Sequence, residues 1–373
     1  MLKRSVISDY QWVKTGILAG LSLAAGIFSY YPGLVEKWYS LGFYPAFGAA
    51  IRLITGWIPF SIGDLLYTIF ILYIIYQLFQ TGRALYRKSY SPQKILVAFL
   101  KVVRVLLVIY LVFKVFWGFN YDREGIEKQL GIAKTSYSIE EVTTLTNQLI
   151  DLLNETRRQI PDTVLPSPSL DSLYLEAYRC YGSLSDEYGF LNYRNLSVKG
   201  SLFSFAGDYL GFTGYYNPFT GEAQVRTDIP RILLPYITCH EMAHQLGYAS
   251  ESEANFVGYL AALRSKNSYF RYSVYQDLFS YAQQEEVNLY GKQNDFKKFS
   301  YVFEQNRKRL DTLVKKDRRE IREFFQQRKN RISPAVSNLY DQYLKLNKQL
   351  QGVNSYNEVI GWVLAYQKKY ANK

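Results

Sequence analysis

The chain of 373 residues contains two histidines, and they flank a glutamate at helical spacing: His240-Glu241-Met242-Ala243-His244. Positions i and i+4 lie one turn apart on one face of a helix, so both imidazoles can reach a single ion. Glu241 projects beside them, where a carboxylate can act on a water held by that ion. The spacing is that of zinc-dependent hydrolysis, with two histidine ligands and a glutamate general base. A chance occurrence on a solvated helix would be flanked by charge. Here the flanks are Ile-Leu-Leu-Pro-Tyr-Ile-Thr-Cys (232–239) and Gln-Leu-Gly (245–247), all uncharged. Pro235 suits a first helical turn, and Gly247 suits a left-handed helix end. The pattern predicts a short helix over 235–246.

A catalytic zinc site takes three protein ligands and keeps a fourth position open. With no third histidine, the third ligand is a carboxylate or a cysteine. Residues 248–263 read Tyr-Ala-Ser-Glu-Ser-Glu-Ala-Asn-Phe-Val-Gly-Tyr-Leu-Ala-Ala-Leu and are helical in pattern from 251. Ser250 and Glu253 stand at capping-box spacing, which gives Glu253 a structural task and leaves Glu251 to point at the histidines. Glu251 is the preferred ligand and Glu253 the alternative; the plain reading of Glu251 is a first-turn acid favoured by the helix dipole. Asn255 shares the face of Glu251 and could steady a histidine ring. Cys239 abuts His240 but points to another helix face. An oxyanion developing beside the metal needs a further donor. Tyr356, in the segment 352–356, is the first candidate, with Arg226 and Tyr216 behind it. Cys180 and Cys239 could pair in an oxidising compartment, which spacing alone does not decide.

The elements that must position these groups follow a membrane-like beginning. The chain is 48% hydrophobic and 17% aromatic, with a formal charge of +12. Residues 15–35 and 65–82 are uncharged runs long enough to cross a hydrocarbon core, and 96–118 is a third, interrupted by Lys101, Arg104 and Lys114. Three transmembrane helices are predicted, with Gly16, Gly20 and Ala24 as a packing stripe. The first run has one rival reading, a cleaved signal peptide. Lys3, Arg4 and Lys14, then Arg83, Arg87, Lys88 and Lys94, place the N-terminus and the 83–94 loop in the cytoplasm. The mixed loop 36–64 and everything after the third span then lie outside, with Trp38, Trp57 and Trp117 at the outer interface. Three spans are few for a channel or transporter. The basic stretch 306–331 alone could suggest nucleic acid, but an extracytoplasmic placement argues for a solvated helix or lipid headgroups instead.

From about 121 the composition is that of a soluble domain. Ser138 and Glu141 open a helix running to about Gln159. A proline-rich linker (161–168) leads to a second helix near 170–185. Residues 194–227 read as strands and turns, with a turn at 217–221 and a strand at 222–227 just upstream of the motif helix. After 265 the pattern is helical. The predicted fold is α+β, mostly α: three transmembrane helices, then an extracytoplasmic zincin-like domain with a small sheet and a helical C-terminal subdomain. The boundaries are a membrane anchor at 1–120, a zincin-like core at 121–265 and a helical subdomain at 266–373.

The sequence resembles a bacterial family of membrane-bound HExxH proteins, the domain of unknown function 3810 family. The resemblance rests on the multi-span N-terminus, Pro-Phe-Thr-Gly-Glu at 218–222 and HEMAHQLGYASESEANF at 240–256. The last segment is also similar to the Glu-x-x-Ala-Asp/Asn signature of gluzincins, which implies Glu251 as the zinc ligand, with Asn255 where many of them carry aspartate. A metzincin is disfavoured: Ser250 occupies the place of its third histidine, and no methionine follows Met242. The resemblance implies a fold class in which the strand before the motif helix lines the cleft and pairs with an extended substrate. The function expected is a zinc (Zn2+) metallopeptidase anchored in the bacterial inner membrane, acting on protein or peptide substrates of the cell envelope and not on nucleic acid. The alternatives are a non-catalytic envelope protein that uses the domain for partner binding or sensing, and a zinc hydrolase of envelope glycans or amidated wall components.

Overall fold

The computed structural model describes residues 9–87, 92–133, 136–161, 165–347, 349 and 358–370. It is mostly helical, with one small sheet. The longer helices in chain order are α1 (Asp9–Phe28), α2 (Tyr44–Thr55), α3 (Ile62–Tyr86), α4 (Pro92–Phe116), α5 (Ile139–Arg158), α6 (Leu170–Glu187), α7 (Leu234–Gln245), α8 (Glu251–Ala262), α9 (Ser268–Lys292), α10 (Phe296–Arg309), α11 (Thr312–Gln327), α12 (Ser333–Leu346) and α13 (Val359–Tyr370). The strands are β1 (Val198–Gly200), β2 (Gly214–Asn217) and β3 (Glu222–Val225). The chain forms two compact units, one of residues 1–44 and 62–124, the other of residues 45–61 and 125–373.

The first unit holds the three apolar helices. Tyr10–Phe28, Ile62–Ala84 and Ile95–Phe116 are long and apolar enough to cross a membrane. The first ends earlier than the uncharged run does, because Tyr31-Pro32 interrupts the helix. It packs through half-buried Thr15, Leu18, Ser22 and Ala25. The predicted stripe does not serve that purpose among the described residues, since a Cβ added at Gly16 or Gly20 would meet nothing within 4 Å. Lys114 is paired with Asp122 at 2.7 Å, and Glu36 takes a two-pronged bond from Arg123 at 2.8 and 2.9 Å. Trp117 is a correction to the sequence reading. It is buried, packing on Tyr44 at 5.9 Å and Tyr121 at 6.2 Å, rather than facing lipid.

The second unit carries one continuous apolar core, built by α5 to α9 and α13 with the sheet. Helix α5 begins where sequence placed it: the Ser138 hydroxyl accepts from Glu141 N, and Glu141 accepts from Ser138 N at 2.8 Å. In the sheet, β3 is central, parallel to β1 (Val198↔Ala223) and antiparallel to β2 (Gly214↔Val225). The β2–β3 connection is an Asx turn. Asn217 Oδ1 accepts from Phe219 N and Thr220 N at 3.0 and 3.3 Å, and Gly221 takes φ +65°. Both edges of β3 are therefore occupied. This corrects the expectation that the strand before the motif helix pairs with a substrate. Among the described residues β2 is an edge strand of this sheet, and it too lies beside the motif helix.

The basic 306–331 stretch is laced to the rest of the unit. Buried Arg157 meets Asp317 at 2.7 Å, Arg158 meets Asp311 at 2.9 Å, and Arg309 meets Asp151 at 2.8 Å. Cys180 and Cys239 are both buried free thiols, not a disulfide, and burial pushes the Cys180 thiol up to about 12. Residues 45–61, between the first two spans in sequence, fold with this second unit through α2.

Candidate metal centre

Helix α7 presents the motif. Pro235 stands in its first turn, and Gly247 just beyond it takes φ +91°, so the helix stops where the residue types predicted. Every residue of α7 is buried. Its ends and flanks are tied by named bonds. Tyr181 donates to the Cys239 carbonyl at 2.6 Å, and the backbone N of Tyr236 donates to the Ser273 hydroxyl at 3.2 Å. Gln245 clamps the sheet to the helix: its amide donates to Ser197 O and Gly221 O at 2.9 and 2.7 Å and accepts from Tyr193 at 2.7 Å. Residue type alone did not disclose that clamp, because any polar residue would read as a helix end.

Gly247 turns the chain so that α8 returns across α7. The crossing is close at Gly258, where an added Cβ would lie 3.0 Å from His240 N and 3.1 Å from its Cα. A side chain there would lever the two helices apart at the motif. With that approach, the ligand atoms of His240, His244 and Glu251 all fall within 4.8 Å of one another, and all three residues are buried. Glu251 Oε2 is 3.3 Å from His240 Nε2 and 3.5 Å from His244 Nε2. The imidazole rings stand nearly perpendicular, at 89° and 4.7 Å between centroids, which aims both Nε2 atoms at a common point. His244 Nδ1 lies 2.7 Å from the Tyr248 carbonyl, the second contact that orients a ligating histidine.

The two acids of α8 divide as the sequence suggested, for a different reason. Ser250 makes no side-chain cap, so the capping box does not form. Glu253 instead turns outward and accepts from the backbone N of Ile126 at 2.7 Å, packed on Gly125, whose φ of +84° suits glycine. Glu251 is left facing the imidazoles. Its other oxygen accepts from the Tyr340 hydroxyl on α12 at 2.8 Å, and its backbone N donates to Gln349 at 3.1 Å. Tyr340 was missed by sequence reasoning; one tyrosine among 35 on a C-terminal helix carries no local signal.

Glu241 is buried, and its carboxylate lies against Gly214 of β2, where an added Cβ would fall 2.4 Å from Oε1. Its Oε2 accepts no hydrogen bond. Burial pushes this carboxyl up to about 7, against the opposite pull of the two imidazoles. Burial likewise disfavours a charged His244, but the Glu251 carboxylate more than offsets it and raises the ring to about 9. Burial also opposes ionisation of Glu251, yet the histidines hold it well below the usual carboxylate range.

The remaining sequence candidates lie elsewhere or are otherwise engaged. Arg226 is buried between Asp208 and Asp228, at 2.6 Å from each, which removes it as a mobile oxyanion donor. Tyr216 is two residues from Gly214 on β2 and so shares its side of the sheet. The Asn255 carbonyl accepts from Tyr236 at 3.0 Å, and its side chain bonds Tyr281. Tyr356 lies outside the described residues.

Two imidazole nitrogens and one carboxylate oxygen are the donor set zinc takes when a fourth position stays open. Among the described residues neither Glu251 Oε2 nor Glu241 Oε2, both buried, has a hydrogen-bond partner, which a cation at this point would relieve. The residues fit the ion. The family model described as "Protein of unknown function (DUF3810)" matches residues 39–364, which include the whole α7–α8 site. No curated protein matches the chain, and no solved structure matches it.

Proposed function

The chain belongs to that DUF3810 family, and on that premise we propose that it is a membrane-anchored zinc metallopeptidase of the gluzincin type. One observation carries the reading: two imidazoles from α7 and a carboxylate from α8 converge in a buried pocket beside a second, protonatable carboxylate. His240, His244 and Glu251 would hold the zinc. Bound there, zinc supplies a Lewis acid that polarises a carbonyl and acidifies water. Glu241 would serve as general base at Oε2 and return the proton to the leaving amine. Tyr340 keeps one oxygen of Glu251 engaged and so leaves the other for the ion.

The sheet gives a substrate somewhere to lie. Arg226 N donates to Thr213 O at 2.9 Å, which sets the ladder so that alternate residues of β2, beginning with Gly214, direct their backbone groups away from β3. An extended peptide pairing there would pass Glu241, and this supports peptides over glycans as the substrate class. Placement outside the bacterial cytoplasmic membrane is supported by the basic residues before the first span and between the second and third. The test is Glu241→Gln in purified full-length protein. Zinc content should match wild type while hydrolysis of a quenched fluorogenic peptide library disappears. Wild-type rates in that variant would remove Glu241 as the base. Absence of zinc and turnover from the wild-type protein would leave the partner-binding reading in its place.

A further inference from the structure

Helix α2 is amphipathic the wrong way round for a helix on the surface of a water-soluble domain. Within the second unit it buries its two polar side chains, Arg52 and Thr55, half-buries Phe47 and Ile51, and exposes Ala46, Ala50, Leu53 and Ile54. Arg52 is 2% exposed, donating from Nε to Arg194 O at 3.0 Å and from Nη1 to Gln245 O at 2.9 Å, with its guanidinium 4.7 Å from the Tyr193 ring centre. Thr55, also buried, hydrogen-bonds Ser197 and Thr220 O, each at 3.0 Å. The opposite side carries Ala46, Ala50, Leu53 and Ile54, and the following turn carries Trp57 and Phe60. Leu53, Ile54 and Trp57 are 65%, 67% and 79% exposed. Hydrophobic burial would drive the reverse arrangement in water.

Chain continuity says what covers this face. Ser61 belongs to the same unit, and its hydroxyl is hydrogen-bonded to the Gln224 side chain of β3 at 2.9 Å. The next residue, Ile62, begins a helix long and apolar enough to span a membrane. The sheet is therefore bonded to the residue that precedes this helix in the chain, and Trp57 and Phe60, five and two residues before Ile62, are of the aromatic type that favours the headgroup boundary. Arg52 and Thr55 satisfy their polar groups inside the protein, so seating the other side in lipid strands no side-chain polar atom.

We infer that α2 and the turn after it are a lipid-facing element of the second unit, with Leu53, Ile54, Trp57 and Phe60 in the acyl-headgroup boundary of the bilayer. The inference rests on Ile62–Ala84 being a span and goes beyond the proposed chemistry. Its consequence for that chemistry is positional. Arg52 reaches the carbonyl of Gln245, the residue after ligand His244, so the ligand helix is one side chain from the lipid-facing helix. Substrates are then to be sought among chains held close to a membrane surface.

Spin-label accessibility tests this on the full chain, reconstituted in phosphatidylethanolamine–phosphatidylglycerol vesicles. Single cysteines are introduced as Leu53→Cys, Ile54→Cys or Trp57→Cys, with Ala50→Cys as a milder change on the same face. Leu72→Cys marks mid-span and Ser183→Cys marks solvent; Cys180 and Cys239 are buried. Labels at Ala50, Leu53, Ile54 and Trp57 should have oxygen accessibility above that of Ser183→Cys and below that of mid-span Leu72→Cys. Their chromium oxalate accessibility should be at least about tenfold below that of Ser183→Cys, since a charged complex is excluded from hydrocarbon. Chromium accessibility equal to that of Ser183→Cys would overturn the inference. So would exclusion of both reagents, which would mean that protein covers the face. Chromium access at Leu72→Cys would overturn it differently, by removing the span itself, and would leave the metal site untouched.

Discussion

Glu251→Gln, read against Glu253→Gln, tests the metal centre most sharply, because the two residues are neighbours on one turn of α8 with opposite predicted effects. Glu251 Oε2 lies 3.3 and 3.5 Å from the two Nε2 atoms and supplies the only carboxylate among the three proposed ligands. Loss of an outer partner of a metal ligand costs about 10–100-fold in affinity, so loss of the ligand itself should cost at least about 100-fold. That ratio is about 2.7 kcal/mol. By linkage, the same amount disappears from the stabilisation produced by a fixed, saturating zinc concentration. For a domain of this size the zinc-induced rise in melting temperature should shrink by about 5–10 °C. Glu253→Gln keeps an oxygen able to accept from Ile126 N and should lose on the order of 1 kcal/mol of stability with zinc affinity unchanged. The assay is competition with a zinc-chelating dye, with thermal denaturation in detergent with and without zinc. An affinity for Glu251→Gln within about threefold of wild type, a difference of ordinary surface-substitution size, would refute the coordination argument. So would a large loss in Glu253→Gln alone.

Three further outcomes follow from particular contacts. Gly214→Ala places a methyl group 2.4 Å from Glu241 Oε1 and should displace the base without touching the ligands, so zinc content holds while peptide turnover falls by about 100-fold or more. Tyr340→Phe frees one oxygen of Glu251 and should weaken zinc binding by about tenfold in the dye competition. Asp277, half-buried on α9, has its carboxyl pushed up by burial from 3.8 to about 7, with Arg318 pulling the other way. The unfolded chain then releases this proton at lower pH than the folded one does. Stability should fall as pH rises through that window, by at most about 4 kcal/mol, and stay level above it. Asp277→Asn should flatten that fall in denaturation midpoints measured from pH 4 to pH 8.

Most of the site was legible in sequence because its signals are local. His240, Glu241 and His244 lie within one helical turn, and backbone geometry alone puts the imidazoles on a common face. Pro235 and Gly247 bound the helix by their own conformational limits, and Ser138 with Glu141 cap α5 by contacts three residues apart. The apolar spans were visible for the same reason, since crossing hydrocarbon constrains each run by itself. Choosing Glu251 over Glu253 was a weaker inference. The structure brings Glu251 rather than Glu253 to the imidazoles, but the capping box behind the choice does not form. Glu253 is held by Ile126 N, more than a hundred residues away, and no local pattern records that contact.

What tertiary structure decided are pairings between distant segments. Strand order made β3 central, with β1 and β2 at its two sides, because β1 reaches β3 only through packing of the whole unit. Tyr340 meets Glu251 from another helix, Arg226 is locked by Asp208 and Asp228, and Gly258 matters only because α8 crosses α7 there. Residues 45–61 show the division most plainly. By composition they are a mixed loop between two spans, yet Arg52 and Thr55 find partners inside the second unit, and the apolar side turns outward. A sequence fixes which atoms can bond and over what short range they are forced together. Which distant atoms meet is set by the packing of the whole chain, where each contact depends on all the others being made.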